Sequence, residues 1–210
     1  MFSALDELSN RRQFWHRLMP FTHKSRTGKT YHLHTGPKLG GGTQYFLSTK
    51  SSGTLAQNLP DGFEVYESVN GQVYLRRQQP QLIRNDELQC LTERLAKPQP
   101  GHRYKVEVRG ITLIIHESAR DVGEDLRWLG RFPFSRSPQD LEEINERLAH
   151  YQPVMRFVLV DAERRLFAPE RFCFRGSVDD WISIGFPNTI QNLAGKFVRH
   201  LGKDSMYELH

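Results

Sequence analysis

A chain of 210 residues, 38% of them hydrophobic, can bury a core and is expected to be globular, as one large domain or two small ones. Its 29 Lys and Arg against 24 Asp and Glu give a net charge of +5, which permits an anionic partner without requiring one. Cys90 and Cys173 lie far apart in apolar contexts, which argues against a disulfide framework, and the longest apolar run, Ile111 to Ile115 with Thr112 inside it, is far below the roughly 20 residues of a membrane span.

The expected thiols are buried and free, as in a reducing compartment. The first residues carry Asp6 and Glu7 and lack the apolar core of a signal peptide, so the expected location is the cytoplasm. A helix is expected from about Ser3 to Leu18: Ser3 caps it, Asp6 and Glu7 suit its N-terminal dipole, and Leu5, Leu8, Trp15 and Leu18 recur at helical spacing. Arg11, Arg12 and Arg17 complement its other end, and Pro20 stops it. Residues 21–27 read as a polar connection.

Two hairpins come next. Tyr31 to Thr35 should pair with Gln44 to Thr49 across a loop holding Gly40, Gly41 and Gly42, which can take positive φ. Phe63 to Glu67 and Gln72 to Arg77 flank Asn70-Gly71, the dipeptide favoured in a type I′ turn. That turn would place Phe63, Val65, Tyr74 and Arg76 on one face and Glu64, Tyr66, Val73, Leu75 and Arg77 on the other, with Glu64 opposite Arg77 and Glu67 near Arg76. Between the hairpins, turn clusters leave only Thr54 to Gln57 for a helical turn.

Asn85 is expected to cap a helix over Asp86 to Lys97, with Leu88, Leu91 and Leu95 as its buried stripe. The break Lys97-Pro98-Gln99-Pro100-Gly101 then divides the chain into modules 1–97 and 102–210. His102 to Arg109 and Ile111 to Glu117 read as strands joined tightly at Gly110, and Tyr104, Val106 and Val108 alternate with Lys105, Glu107 and Arg109. A helical segment is expected over Asp121 to Gly130, then a loop with exposed aromatics, then a helix opening at Ser137-Pro138 with Leu141, Ile144 and Leu148 as its stripe. Val154 to Val160 and Leu166 to Phe174 form another antiparallel pair, Trp181 to Ile184 an edge, and a closing helix runs from Asn188 or Thr189 to Leu201, stopped at Gly202. The fold class is α+β, antiparallel β-hairpins with packed helices in two small modules, because hairpin signals outnumber any βαβ alternation.

The chemistry starts with exclusions. Gly28-Lys29-Thr30 imitates the end of a Walker loop, but His23 stands where the first glycine belongs and a strand, not a helix, comes after it. The Gly40 to Gly42 run is not a dinucleotide fingerprint, which must follow a strand and open a helix; it reads as a glycine-rich hairpin loop. His32 and His34 project from one strand face like paired metal ligands, yet His23 and His116 are third ligands by residue type only, so no metal and no cofactor is expected. Asp179 and Asp180 are neighbours, which diverge on a strand or cap a turn, and no serine sits in a Gly-x-Ser-x-Gly elbow.

The leading functional expectation is a small cytoplasmic nucleic-acid-associated protein. Its contacts would be Lys29, Tyr31, His32, His34, Lys38, Tyr45, Lys50, Tyr74, Arg76 and Arg77 on the hairpins, and Lys196, Arg199 and Lys203 on the closing helix, mixing cations with stacking rings. A protein-interaction or regulatory module anchored by the aromatics of 128–134 is the second expectation. An enzyme using His32 and His34 is the third. Nothing in the sequence fixes an oligomeric state.

Overall fold

The computed structural model describes residues 19–96, 102–118, 149–175 and 178–209. The helices expected over 3–18 and 121–130 and from Ser137 on, the aromatic loop of 128–134 and the break at 97–101 lie outside them. The described residues are mostly antiparallel β-sheet with two short α-helices, and the chain divides into two compact units between Gln78 and Gln79.

In the first unit, β1 (Thr22–Lys24), β2 (Thr30–Pro37) and β3 (Thr43–Ser48) form an antiparallel sheet in that order. The β2–β3 hairpin pairs the expected segments, with Thr35 opposite Tyr45; β2 runs longer than expected, and β3 starts and ends one residue earlier. Its loop closes through Lys38 N–H to the Gly42 carbonyl, and Gly40, Gly41 and Gly42 all take positive φ. The segment read as a connection is partly strand β1. Gly28 at φ 81° lets a turn close between Ser25 and Lys29, so Thr22 comes opposite His32. Thr54 to Gln57 is not helical; Ala56 N–H donates to the Leu33 carbonyl and Leu55 bridges His34.

The second hairpin, β4 (Phe63–Glu67) and β5 (Val73–Arg77), is out of the expected register by one residue. Of Asn70 and Gly71 only Gly71 takes positive φ, Gly71 N–H donates to the Ser68 carbonyl, and Ser68 pairs with Gln72. This is the three-residue connection that ends in a left-handed glycine bulge, not a type I′ turn. The extra residue moves every β5 side chain to the other face. Glu64 therefore pairs with Arg76 and Tyr66 with Tyr74, while Arg77 lies opposite Phe63. Glu67 is bound instead by the Arg26 backbone N–H and guanidinium. A Cβ on Gly71 would meet Thr27 Cγ2 at 2.8 Å, so glycine is required there for space as well as for φ.

The second unit holds a five-stranded antiparallel meander, β6 (Arg103–Arg109), β7 (Thr112–Ser118), β8 (Gln152–Asp161), β9 (Leu166–Arg175) and β10 (Val178–Ser183), each paired with its sequence neighbours. Alternate residues of the inner strands, Leu113, Ile115, Met155, Phe157, Leu159 and Phe167, are buried in one cluster. The same cluster takes Leu91 from α1 (Asn85–Leu95), Leu193 and Phe197 from α2 (Ile190–Phe197), and Ile83 just ahead of α1. Fully burying each such side chain contributes about 1.5–3 kcal/mol. That shared core moves the expected module boundary: α1 belongs with the sheet of the second unit, because its apolar stripe is buried among that sheet's residues.

The N-terminus of α1 is a further correction. Arg84, not Asn85, holds the cap position, and the Glu87 carboxylate reaches back to accept its backbone N–H at 2.8 Å. Glu87 is itself buried and is gripped by the Arg165 guanidinium, Nε to Oε1 at 2.8 Å and a second N–H to Oε2, while that guanidinium also donates to the Leu82 carbonyl. Arg165 sits in the β8–β9 turn at φ 54°, the one non-glycine residue with positive φ among those described. Cys90 and Cys173 are free and half-buried, and no described helix is long and apolar enough to cross a membrane.

Candidate functional site

The hairpin residues expected to contact nucleic acid fall into two groups. Lys29, Lys38 and Lys50 are exposed and form no ion pair among the described residues, and Arg77 is exposed with its guanidinium 5.6 Å from the Phe63 ring. Tyr45 and Tyr74 are 38% and 46% exposed. The Tyr74 hydroxyl donates to Gln72 Oε1 at 2.6 Å and its ring stacks on Tyr66. Phe46, which sequence reasoning passed over, is 45% exposed. Strands β3 and β5 lie in contact, so these rings stand on neighbouring strands.

The other group has structural employment. Arg76 donates from Nε to Glu64 Oε1 at 2.7 Å and lies 3.9 Å over the Tyr66 ring, a neutralised and capped cation. His34 is buried, its Nε2 donates to the Lys50 carbonyl at 2.9 Å, and its ring stacks on Phe46 at 5.2 Å. Tyr31 and His32 are half-buried on β2. His23 approaches Glu67 at 3.7 Å, and no group of three or more His, Cys, Asp or Glu suited to a metal occurs among the described residues.

In the second unit Lys196, Arg199 and Lys203 are exposed, as the helix pattern implied. Lys196 Nζ lies 4.8 Å over the Phe197 ring. Arg199 Nε donates to His200 Nε2, which leaves Nδ1–H to donate to Ser205 Oγ at 2.9 Å. Burial, then the charges of Arg199 and Lys203, hold His200 below the ordinary imidazole range. A neutral ring whose one acceptor nitrogen is taken has no site left for the serine proton, so this pair is not a nucleophile and its base. Asp180 is exposed within β10, opposite Cys173, and accepts from the adjacent Trp181 N–H at 2.7 Å.

Lys203 opens onto a feature absent from the expectations. A cleft of about 230 Å³ is lined by His102, Glu117, Val154, Phe172 and the segment Gly202 to Tyr207. Glu117 Oε1 accepts from His102 Nδ1 at 2.7 Å and from the Tyr104 hydroxyl at 2.8 Å. Burial, then the bond to Glu117 and its charge, push the Tyr104 phenol far up, so it remains a donor. Gly202 at φ 68° lets the chain cross close by: a Cβ there would meet the Tyr104 hydroxyl at 2.9 Å and the His102 ring at 3.1 Å. The signal was available, because strands joined tightly at Gly110 place Tyr104 opposite Glu117 and His102 two residues along on the same face.

On the alternate face of the same strands lies a buried ion cluster. Glu107 accepts from His116 Nε2 at 2.9 Å and from Arg109 at 3.0 Å, and His116 Nδ1 has no partner among the described residues. Arg156 pairs with Glu170 and covers the Trp181 ring at 4.3 Å. These are charges tied to one another rather than offered to a ligand.

No protein-family model, curated protein or solved structure matches the chain, so its function is argued from these residues alone.

Proposed function

We propose that this is a cytoplasmic nucleic-acid-associated protein whose first unit binds single strands. The observation that carries the reading is the exposure of Tyr45, Phe46 and Tyr74 on the contacting strands β3 and β5, in a unit whose exposed Lys29, Lys38 and Lys50 have no ion-pair partner among the described residues. Rings on a sheet stack on bases of any sequence, and lysines track phosphates. Arg77 belongs to the contact set; Arg76 and His34 leave it, since binding would first have to break their internal bonds. Tyr31, His32, Lys196, Arg199 and Lys203 remain secondary contacts.

Fluorescence anisotropy with a labelled single strand of roughly 20 nucleotides tests this. Affinity should fall steeply with salt, and Lys38→Ala and Lys50→Ala should each reduce the logarithmic salt slope by about 0.7. Tyr74→Ala should cost about 1–3 kcal/mol of binding, more than the modest loss of stability from removing its stack on Tyr66. Absence of binding by the wild type at roughly 20 mM salt, where the electrostatic attraction is strongest, would refute the reading and favour a protein partner on the same exposed rings.

We further infer that the second unit folds independently. Its core residues, from Ile83 to Met206, all lie beyond Gln78, whereas in the first unit Leu33 and Val73 are the hydrophobic side chains buried among the described residues. A fragment spanning 79–210 should melt cooperatively, and a fragment spanning 1–78 should be marginal. Loss of cooperative melting in the 79–210 fragment would show that the units share a core.

A further inference from the structure

The cleft of the second unit has a charged floor and apolar walls. At the floor, Glu117 is held by two donors on the same oxygen, Oε1, while Oε2 has no partner among the described residues. The carboxylate is thus fixed and one lone-pair-bearing oxygen is left for a donor from outside. The walls are Val154, Phe172, Met206 and the 72% exposed Tyr207. The Tyr207 wall is anchored, since the Arg171 guanidinium donates to the Tyr207 and Leu209 carbonyls.

Charge decides what fits. Among the described lining residues Glu117 and Asp204 stand against Lys203, and Phe172 and Tyr207 add aromatic surface. His102 turns its Nδ1–H to Glu117 Oε1. An anion would have to sit against a fixed carboxylate; a cation meets one. The volume of about 230 Å³ exceeds the ~150 Å³ that takes a benzene ring, so one ring with a short arm fits.

We propose that this cleft is a binding site for a small organic ammonium, an alkyl or arylalkyl amine. Its N–H donates to Glu117 Oε2 and its apolar body lies among Val154, Phe172, Met206 and Tyr207. Tyr104 and His102 are positioning residues, which hold the carboxylate and do not themselves meet the amine nitrogen. The strand-binding surface of the first unit is not involved.

The test uses the full chain with benzylammonium, benzyl alcohol and benzoate as probes, followed by calorimetry and by the methyl carbon resonance of labelled Met206. Benzylammonium should bind saturably and shift Met206, and benzyl alcohol and benzoate should bind at least about tenfold more weakly, as loss of a charge-assisted hydrogen bond implies. Glu117→Gln, nearly isosteric, should weaken benzylammonium about tenfold with benzyl alcohol little changed. The comparison of probes on the wild type needs no variant, so it stands even if Glu117→Gln fails to fold. Tighter binding of benzoate would make this an anion site on Lys203 and His102 and overturn the proposal. So would the absence of saturable benzylammonium binding, or equal binding by Glu117→Gln.

Discussion

Arg165→Ala should destabilise the second unit by about 3–5 kcal/mol, the cost of leaving a buried carboxylate without its partner. Glu87 is 3% exposed, and Arg165 donates to both of its carboxylate oxygens; among the described residues truncation leaves it the Arg84 backbone N–H. The pair spans 78 positions of sequence and ties the start of α1 to the β8–β9 turn. At roughly 2–4 °C per kcal/mol for a protein of this size, thermal melting should fall by about 10 °C. Arg165→Gly isolates the two roles of the position: it relieves the positive φ and still loses the guanidinium, so it should fall nearly as far. Combining Arg165→Met with Glu87→Leu removes both charges and should recover much of the loss. A drop below about 1 kcal/mol for Arg165→Ala would mean that the pair is solvated in solution.

The second large effect is acid sensitivity set by Glu107. Burial pushes its carboxyl up, but the hydrogen bonds and charges of His116 and Arg109 outweigh burial and hold it below the ordinary carboxylate range. A carboxyl lowered on folding stabilises the folded state above its unfolded pKa, near 4.3, and that contribution is lost as pH falls through the lower folded value. Denaturant melts of the wild type should therefore weaken below about pH 4.3, and Glu107→Gln should show a flatter acid limb. At neutral pH Glu107→Ala should cost about 3 kcal/mol, because His116 is buried with Nδ1 already unpartnered and would lose its Nε2 acceptor as well. An acid limb unchanged in Glu107→Gln would show that other carboxylates carry it.

The range of each interaction decides whether the sequence reveals it. Period-2 alternation placed β6 and β7, since a half-buried strand writes its burial into adjacent residues, whereas β1, three residues long, is too short to show a period and read as a connection. Turn chemistry was harder. Asn70-Gly71 suits both a type I′ turn and a glycine bulge, and the bulge puts Arg76 on the opposite face from the one a type I′ turn implies. Capping by Asn85 was the locally cheaper option, and it lost to the Glu87 carboxylate, held from a distant turn. The cleft was hidden because Glu117, Tyr104 and Gly202 belong to three segments; only the pairing of Tyr104 with Glu117 is local enough to be deduced from a tight hairpin.

The meander order of the second sheet has a kinetic consequence. The β6–β7 and β8–β9 hairpins close over short turns, whereas pairing Glu117 with Gln152 must bring together residues separated by the whole stretch between β7 and β8. The entropic cost of closure grows with separation along the chain, so this pairing is entropically the more costly one. The two hairpins are thus expected to form early, and their docking along β7 and β8 is expected to set the rate, which φ-values lower across β7–β8 than within the hairpins would check.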